Sequence, residues 1–519
     1  MNVSPWLAKF DEVASSAPKS KPLMVEEETA LTYGDLFQRV RQCGALFASL
    51  GLNVEDRVIV ATQDNPSLII LFFALLRNGI TAVILDPGAS KIEARALVQA
   101  ADAKVVFADA AFLETGEFDK LLPESVSYTT IASEKATGTG LLGRMLGRKT
   151  ETSVATNFPA MLNALDAVYE PPASLDEDTV AYILFTSGTT SRPKGVEITH
   201  KNLFAQEQTF ANQYQFDDNV QLLNMLPMFH TDGITHGPVL AFFVGATLHR
   251  PMVQFRVDLL PHLIRSIYTL QITHFITVPA VLALLQNFSN ELSDAMKTRD
   301  FRFLISTAAY LDPNLWRDIE ETYAIRIVNV YGLTETVCEA LYCGPDDNTR
   351  KIGTVGKPVD CEAQIVDEAG KEVAQGEVGE LLLKGDHVMK GYFRQPEETA
   401  AVLQDGWFHT GDLAKIDEEG FYHIVGRKKN VIITAGINVY PEDVTTVIRK
   451  MPDVVDAVTF GLPDATWGER VVSCVQAEDS NVTIENVAAY CGENLSREKL
   501  PCETACNFDP LVGVNSVEI

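Results

Sequence analysis

Residues 180–195 (VAYILFTSGTTSRPKG) constrain this 519-residue chain more than any other stretch. The run 180–185 reads as a buried strand, by its length and its Val, Tyr, Ile and Phe content. It passes without a spacer into a loop of small residues. Thr186, Ser187, Thr189 and Thr190 supply hydroxyls there, Gly188 sits among them, and Pro193, Lys194 and Gly195 close the loop. Small side chains let backbone N–H groups and hydroxyls converge on one point, and a lysine brings positive charge to it, which is how loops hold phosphate oxygens. The same composition also makes a plain surface turn. The Walker spacing is not met, because no Gly-Lys-Ser/Thr follows a four-residue spacer.

The chain is too long for one core, so two or more domains are expected. A net charge of −28 argues against nonspecific binding to nucleic acid or anionic membranes. An anionic ligand would need a local positive pocket against that background. Eight cysteines without a CxxC pair point to a reducing, cytoplasmic setting. The most apolar run, 68–76 (LIILFFALL), is too short to span a bilayer. Residues 1–10 lack a basic start followed by an apolar run, so no signal peptide is expected.

Along the first 110 residues helical and strand patterns alternate. Helices are predicted over 32–50, behind a Thr32 cap, and over 67–78, with strands at 58–61 and 82–85. Such alternation predicts α/β architecture: parallel sheets covered by helices on both faces. The pattern weakens between 130 and 178, where Gly138, Gly140 and Gly143 spell GxGxxG without a leading strand. That spelling reads as chance, and the basic, apolar 141–149 as a solvated insertion. Strands running into small loops recur at 222–233, which carries Phe229 and His230, and at 303–309, which ends on Thr307, Ala308 and Ala309. Residues 325–335 (IRIVNVYGLTE) form a β-branched strand that delivers Tyr331 and Gly332 to a carboxyl edge, where open α/β sheets bind ligands. Thr334 and Glu335 follow. From 353 onward, short glycine-punctuated runs predict a small antiparallel β region, and the chain then reads as a compact α+β domain of about 90 residues.

Three stretches, 185–200, 325–335 and 426–444, resemble the motifs of the adenylate-forming enzymes: acyl- and aryl-CoA ligases, luciferases and peptide-synthetase adenylation domains. Residues 407–412 (WFHTGD) are similar to the ribose-binding motif of the same family. Family members usually carry Gly where this chain has Ser191. The resemblance implies a large N-terminal domain, 1–428, of two doubly wound layers with a β subdomain over about 345–425. It also implies a small mobile α+β domain, 430–519, that turns about a hinge at Lys429. It implies ATP or AMP, CoA and Mg as cofactors, with Lys194 and the loop 186–190 on the phosphates. Ala308 and Ala309 would face the adenine and Tyr331 stack on it beside Gly332. Thr334 would meet the α-phosphate, Glu335 hold magnesium, and Asp412 and Arg427 bind the ribose. His230 would stand beside the acyl pocket and the thiol's path, with His236 and Gly237 in reach of the same pocket, and Gly436 would lie in the loop brought to the thiol tunnel. Taken singly, several of these residues have plainer readings. A Thr-Glu pair commonly caps a helix, a lone histidine is commonly packed, and an aspartate commonly caps a turn.

The C-terminus departs from the family. The family's C-terminal loop, roughly Leu-Pro-x-Thr-x-x-Gly-Lys, carries a lysine that reaches the substrate carboxylate and the α-phosphate. Here residues 509–519 read DPLVGVNSVEI, Glu518 falls at or within a residue of that lysine, Val517 replaces the glycine, and no Lys or Arg follows Lys499. The expected function is therefore that of an acid–thiol ligase working through an acyl-AMP, with its adenylation half in question. Two alternatives stay open: loading of an acyl group onto a carrier protein, and a degenerate protein that holds a nucleotide or acyl-adenylate without turnover. The expected partners are a small carboxylic acid or its acyl-adenylate and CoA, with no nucleic acid and no membrane span. A homodimer stays open too.

Overall fold

The computed structural model describes residues 2–116, 127–131, 157–165, 169–186, 193–286, 292, 294–298, 300–434, 437–464, 468–477, 482–495 and 499–506. The chain divides into two compact units. The first is Met1–Ile352 with Pro358–Glu362 and Lys384–Gly406, and the second is Gly353–Lys357 with Ala363–Leu383 and Trp407–Ile519. Much of the β region expected within 345–425 thus clusters with the C-terminal segment.

Two mixed sheets organise the first unit. One runs Gly391–Tyr392, Lys194–Thr199, Val180–Thr186, Thr81–Ile84, Arg57–Ala61, Val105–Asp109, Ser127–Ile131. The other contains, in order, Glu339–Cys343, Ile327–Gly332, Phe303–Ser306, His274–Thr277, Gln221–Asn224, Thr247–Arg250, Pro22–Glu26 and Thr29–Thr32. The central pairs of both are parallel, as the alternating sequence pattern predicts. The antiparallel pairs lie toward the ends, and two of them, Val180–Thr186 with Lys194–Thr199 and Ile327–Gly332 with Glu339–Cys343, flank the motif loops.

Local sequence explains the helices that carry these sheets. Thr32 caps Tyr33–Ser49 through a capping box with Asp35. The run 68–76 lies in Asn65–Asn78, a helix buried on all sides, with Phe72 against Tyr182 and Phe73 against Phe242. It is a core helix, and no helix among the described residues is long and apolar enough to cross a membrane. Around the second sheet, Leu223, Ile264, Phe275, Leu304, Trp316 and Ile327 form one continuous buried core.

In the second unit, Gly379–Gly385, Trp407–Ile416 and Tyr422–Arg427 pair antiparallel, as their glycine-punctuated sequence predicts. Val454–Asp464 and Gly468–Ala477 form a long antiparallel ladder, with Ile432–Thr434 and Glu503–Cys506 beside the latter strand. The helices Pro441–Ile448 and Ile484–Asn494 contribute Val444, Ile448, Val487 and Cys491 to its own small core.

The helix His200–Gln213 carries the buried side chains of Gln206 and Glu207, and its start depends on Asn202. Asn202 Oδ1 accepts from the Thr199 N–H at 2.9 Å, while its Nδ2 donates to the carbonyls of Asp386 and Val388 at 2.8 Å each. Asn202→Ala strands these groups in a buried setting and is expected to cost about 2–3 kcal/mol. The check is a lower denaturant midpoint for the transition of the first unit. A second variant, Asn202→Gln, should recover little, because its amide sits one methylene further out.

Candidate active site

At the carboxyl end of Val180–Thr186, Thr186 lies 3.5 Å through its Oγ1 from the carbonyl of Lys194. Residues Ser187, Gly188, Thr189 and Thr190 lie outside the described residues. Lys194 opens the returning strand, where its ammonium pairs with Glu398 and lies 4.9 Å from the ring centre of Tyr392. Tyr392 reaches this place because Gly391–Tyr392 pairs with Val196 and Glu197. Its hydroxyl donates to Glu335 Oε1 at 2.9 Å. Lys194 and Glu335, 141 positions apart in the chain, therefore converge on one aromatic side chain.

Glu335 owes its position to a strained turn. The ladder between Ile327–Gly332 and Glu339–Cys343 slips at Tyr331 and Gly332. A Cβ on Gly332 would lie 1.6 Å from the Cys338 carbonyl oxygen, so only glycine permits the approach. The 3₁₀ turn Thr334–Thr336 follows. Cys338 N–H then bonds back to the Thr336 carbonyl at 2.7 Å across Val337, which is held at φ 63° and ψ −61°. That is a γ-turn of the strained hand, at a β-branched residue. Ala308, after Phe303–Ser306, is likewise at φ 65°. Strained positions cost about 1–3 kcal/mol each and gather at functional sites. Both flank the half-buried Tyr331, Thr334 and Glu335. Met389 N–H caps the Glu335 carbonyl at 2.8 Å. The carboxylate, bonded through Oε1 to a neutral donor, retains the hard oxygen chemistry that suits magnesium.

His230 is exposed at the start of the short helix Thr231–Ile234, with its ring 5.0 Å from that of Phe229. His236 goes the other way. It is fully buried, stacks on Phe210 at 3.9 Å, and stands 3.2 Å through Nε2 from Glu339 Oε2. Burial pulls its pKa down to about 3, so it is neutral. Gly237 is buried beside it.

The second unit holds the other candidates. Asp412 and Arg427 face each other in the register of Trp407–Ile416 and Tyr422–Arg427, and Arg427 Nε meets Asp412 Oδ1 at 2.5 Å. Asp412 is 3% exposed, while the guanidinium side is open. Such a buried, oriented carboxylate suits two adjacent hydroxyls. Lys428 pairs with Glu380 at 3.0 Å, and Lys429 is exposed in the 3₁₀ turn Lys428–Asn430. Gly436, Val517 and Glu518 lie outside the described residues.

A group of residues that sequence reasoning passed over lies behind Gly332. Glu339, in register opposite Gly332, is buried. Thr307 Oγ1 stands 2.8 Å from Asp232 Oδ1 and 3.1 Å from Glu339 Oε1. Gln206 donates to Glu339 at 3.1 Å, and neighbouring Glu207 is fully buried with neither carboxyl oxygen bonded. Desolvation pushes Glu207 and Glu339 far above ordinary carboxyl values, and Asp232 upward too. One signal was available: an acid heading 339–343 (EALYC), an otherwise apolar strand pattern.

A model of the AMP-binding enzyme family matches residues 10–393. The chain belongs to that family. This AMP-binding enzyme is 29% identical over 503 residues to the oxalate–CoA ligase of Arabidopsis thaliana, covering 95% of this chain and 92% of that one. It is 28% identical over 499 residues to a probable CoA ligase of Humulus lupulus, covering 94% and 90%. Among solved structures it is similar to ATP-bound MatB from Rhodopseudomonas palustris, with a TM-score of 0.82, 27% identity and coverage of 97% and 95%. The fold, a large N-terminal part followed by a C-terminal part, is that of these enzymes.

Glu207 gives a pH signature for the enzyme. Folding holds it neutral, whereas the unfolded chain ionises it above its ordinary value of 4.5. Its neutral form therefore contributes stability that is fully present below that pH and is lost as pH rises toward the folded pKa. Glu207→Gln, which cannot ionise, should match the parent near pH 4. It should become more stable than the parent as pH rises to 8, with a limiting slope of about 1.4 kcal/mol per pH unit. Denaturation midpoints of both proteins across that range test this, and parallel curves would refute it.

Proposed function

We propose that this AMP-binding enzyme is an acid–thiol ligase that uses ATP, magnesium and CoA. The observation that carries the reading is the convergence of Lys194 and Glu335 on Tyr392 beside the strained Gly332–Val337 turn. A cation and a hard carboxylate, 4.9 Å and one hydrogen bond from the same ring, form a place where phosphate oxygens and their counter-ion can be held together. The names of the oxalate–CoA ligase and of the probable CoA ligase support CoA as acceptor, and ATP-bound MatB supports the nucleotide.

In this reading an acid carboxylate attacks the α-phosphorus of ATP, the bond to pyrophosphate breaks, and an acyl-AMP results. The CoA sulfur then attacks the acyl carbonyl, AMP leaves, and the thiol proton passes to solvent. Glu335 would hold magnesium, whose charge would neutralise that of the phosphates. Lys194 lends its charge to the phosphate oxygens, Tyr331 offers a ring face to the adenine, and Asp412 with Arg427 takes the ribose hydroxyls. The exposed His230 stands by the acyl carbonyl. Lys429 serves as the hinge between the two half-reactions, which the 3₁₀ turn around it suits because terminal residues of elements absorb backbone rotation.

Glu335→Gln keeps the shape and the Tyr392 hydrogen bond but removes the charge. We expect pyrophosphate release to fall by about 10²–10³ with an unchanged melting temperature. Activity at the parent level would remove Glu335 from the mechanism.

The finer proposal concerns the two half-reactions. Bringing a carboxylate to a phosphate joins two anions, and a preorganised cation offsets that repulsion. Glu518 stands at or beside the position where the resembling enzymes keep a lysine. We therefore propose weak acyl-AMP synthesis alongside competent transfer of a supplied acyl-AMP to CoA. Acid-dependent ATP–pyrophosphate exchange should be low, CoA acylation from synthetic acyl-adenylate robust, and Glu518→Lys should raise only the former. Strong exchange in the parent would overturn the half-reaction idea, and loss of both activities would favour a nucleotide-binding protein without turnover.

A further inference from the structure

We propose that the acyl end of this site is built for a short acid bearing a protonated amine at its far end. The proposal rests on the ligase reading and specifies its substrate class. Its place is set by chain adjacency: Asp232 lies two residues after His230, Thr307 immediately precedes Ala308, and Glu339 pairs in register with Gly332 beside Tyr331. Asn224 ties this corner together, donating from Nδ2 to the carbonyls of Asp232 at 2.8 Å and His236 at 3.0 Å.

Besides the neutral His236, this corner holds the acids Asp232, Glu207 and Glu339. Asp232 and Glu339 both lie against the Thr307 hydroxyl, at 2.8 and 3.1 Å, so the pair must keep one bridging proton, since two bare carboxylates in a buried site would repel strongly. Glu207, fully buried on the same helix as Gln206, has both oxygens unbonded, and His236 has an unbonded Nδ1. No lysine or arginine among the described residues pairs with any of the three acids, and His236, which touches Glu339, is neutral. Of the three acids, Asp232 retains partial solvent access and Glu207 and Glu339 do not. Glu207, buried without a partner among the described residues, and the Asp232–Glu339 pair, without a counter-charge there, are both costly, and a protein keeps such groups where a ligand supplies what is missing.

An ammonium group supplies it most completely. It brings three donors and a positive charge, so the bridging proton can leave to solvent while Asp232 and Glu339 both ionise against it. A hydroxyl offers one donor and no charge. A second carboxylate, which the Arabidopsis relative's acid would bring, meets only like charge here.

The test is binding of three non-hydrolysable acyl-adenylate mimics, sulfamoyladenosines carrying 4-aminobutanoyl, pentanoyl or succinyl groups, measured by calorimetry with AMP as reference. The aminobutanoyl mimic should bind about 30- to 100-fold tighter than the pentanoyl one, and the succinyl mimic weakest. Asp232→Asn and, separately, Glu339→Gln should each collapse that ratio, with AMP affinity reporting that the variants are folded. Equal or tighter binding of the pentanoyl or succinyl mimic overturns this proposal and leaves the ligase reading standing, as does a ratio unmoved by both substitutions. Failure of AMP and of all three mimics to bind overturns the ligase reading itself. Asp232, His236 and Cys338 also place three donor atoms within 4.8 Å of one another, and stoichiometric zinc retained through dialysis would overturn the proposal by filling the cluster.

Discussion

Much of the site depends on the approach of the Gly332 backbone to the Cys338 carbonyl. With any side chain at 332 the two strands could not close, because a Cβ would occupy the carbonyl's place at 1.6 Å. Closure forces the connecting residues into a 3₁₀ turn and then a γ-turn at Val337. The result is two-sided. Tyr331, Thr334 and Glu335 are partly exposed, while Val337, Cys338 and Glu339 are driven into the interior. One backbone contact thus sorts six side chains between a partly exposed edge and the buried interior that holds Glu339.

The buried acids run against the usual economy of a protein core. Buried carboxyls lose hydration that a single hydrogen bond does not restore. The first unit can carry them because its two sheets and the all-round-buried helix Asn65–Asn78 supply an extensive apolar core. His236 follows the same logic: against Phe210 and away from water it stays neutral and serves Glu339 as a hydrogen-bonding neighbour rather than as a counter-charge. His230, six residues earlier, is exposed instead.

The second unit solves a related problem at lower cost. Asp412 is buried, but Arg427 opposes it across one ladder and remains open at its far side. A charged pair with one solvated partner keeps a carboxylate oriented without a large desolvation cost. Glu207 contrasts with it, being buried with neither carboxyl oxygen bonded.

The sequence by itself determined the parallel α/β class and the strand-into-loop motifs, while its resemblance to a family pointed to Lys194, Tyr331, Glu335, Asp412 and Arg427 as site candidates. The class and the motifs follow from periodicity and local chemistry, which are written along neighbouring positions. Helix 32–50 and strand 58–61 are found as Tyr33–Ser49 and Arg57–Ala61 for that reason. Tertiary structure alone decided that Tyr392 joins Lys194 to Glu335, since the link runs through a two-residue strand that pairs with Val196 and Glu197, far away in the chain. It alone decided too that Asp232 and Glu339 meet at the Thr307 hydroxyl and that Glu207 is buried without a partner among the described residues. Their spacing carries no period, and a carboxyl's partners depend on which chain segments the sheet brings beside it.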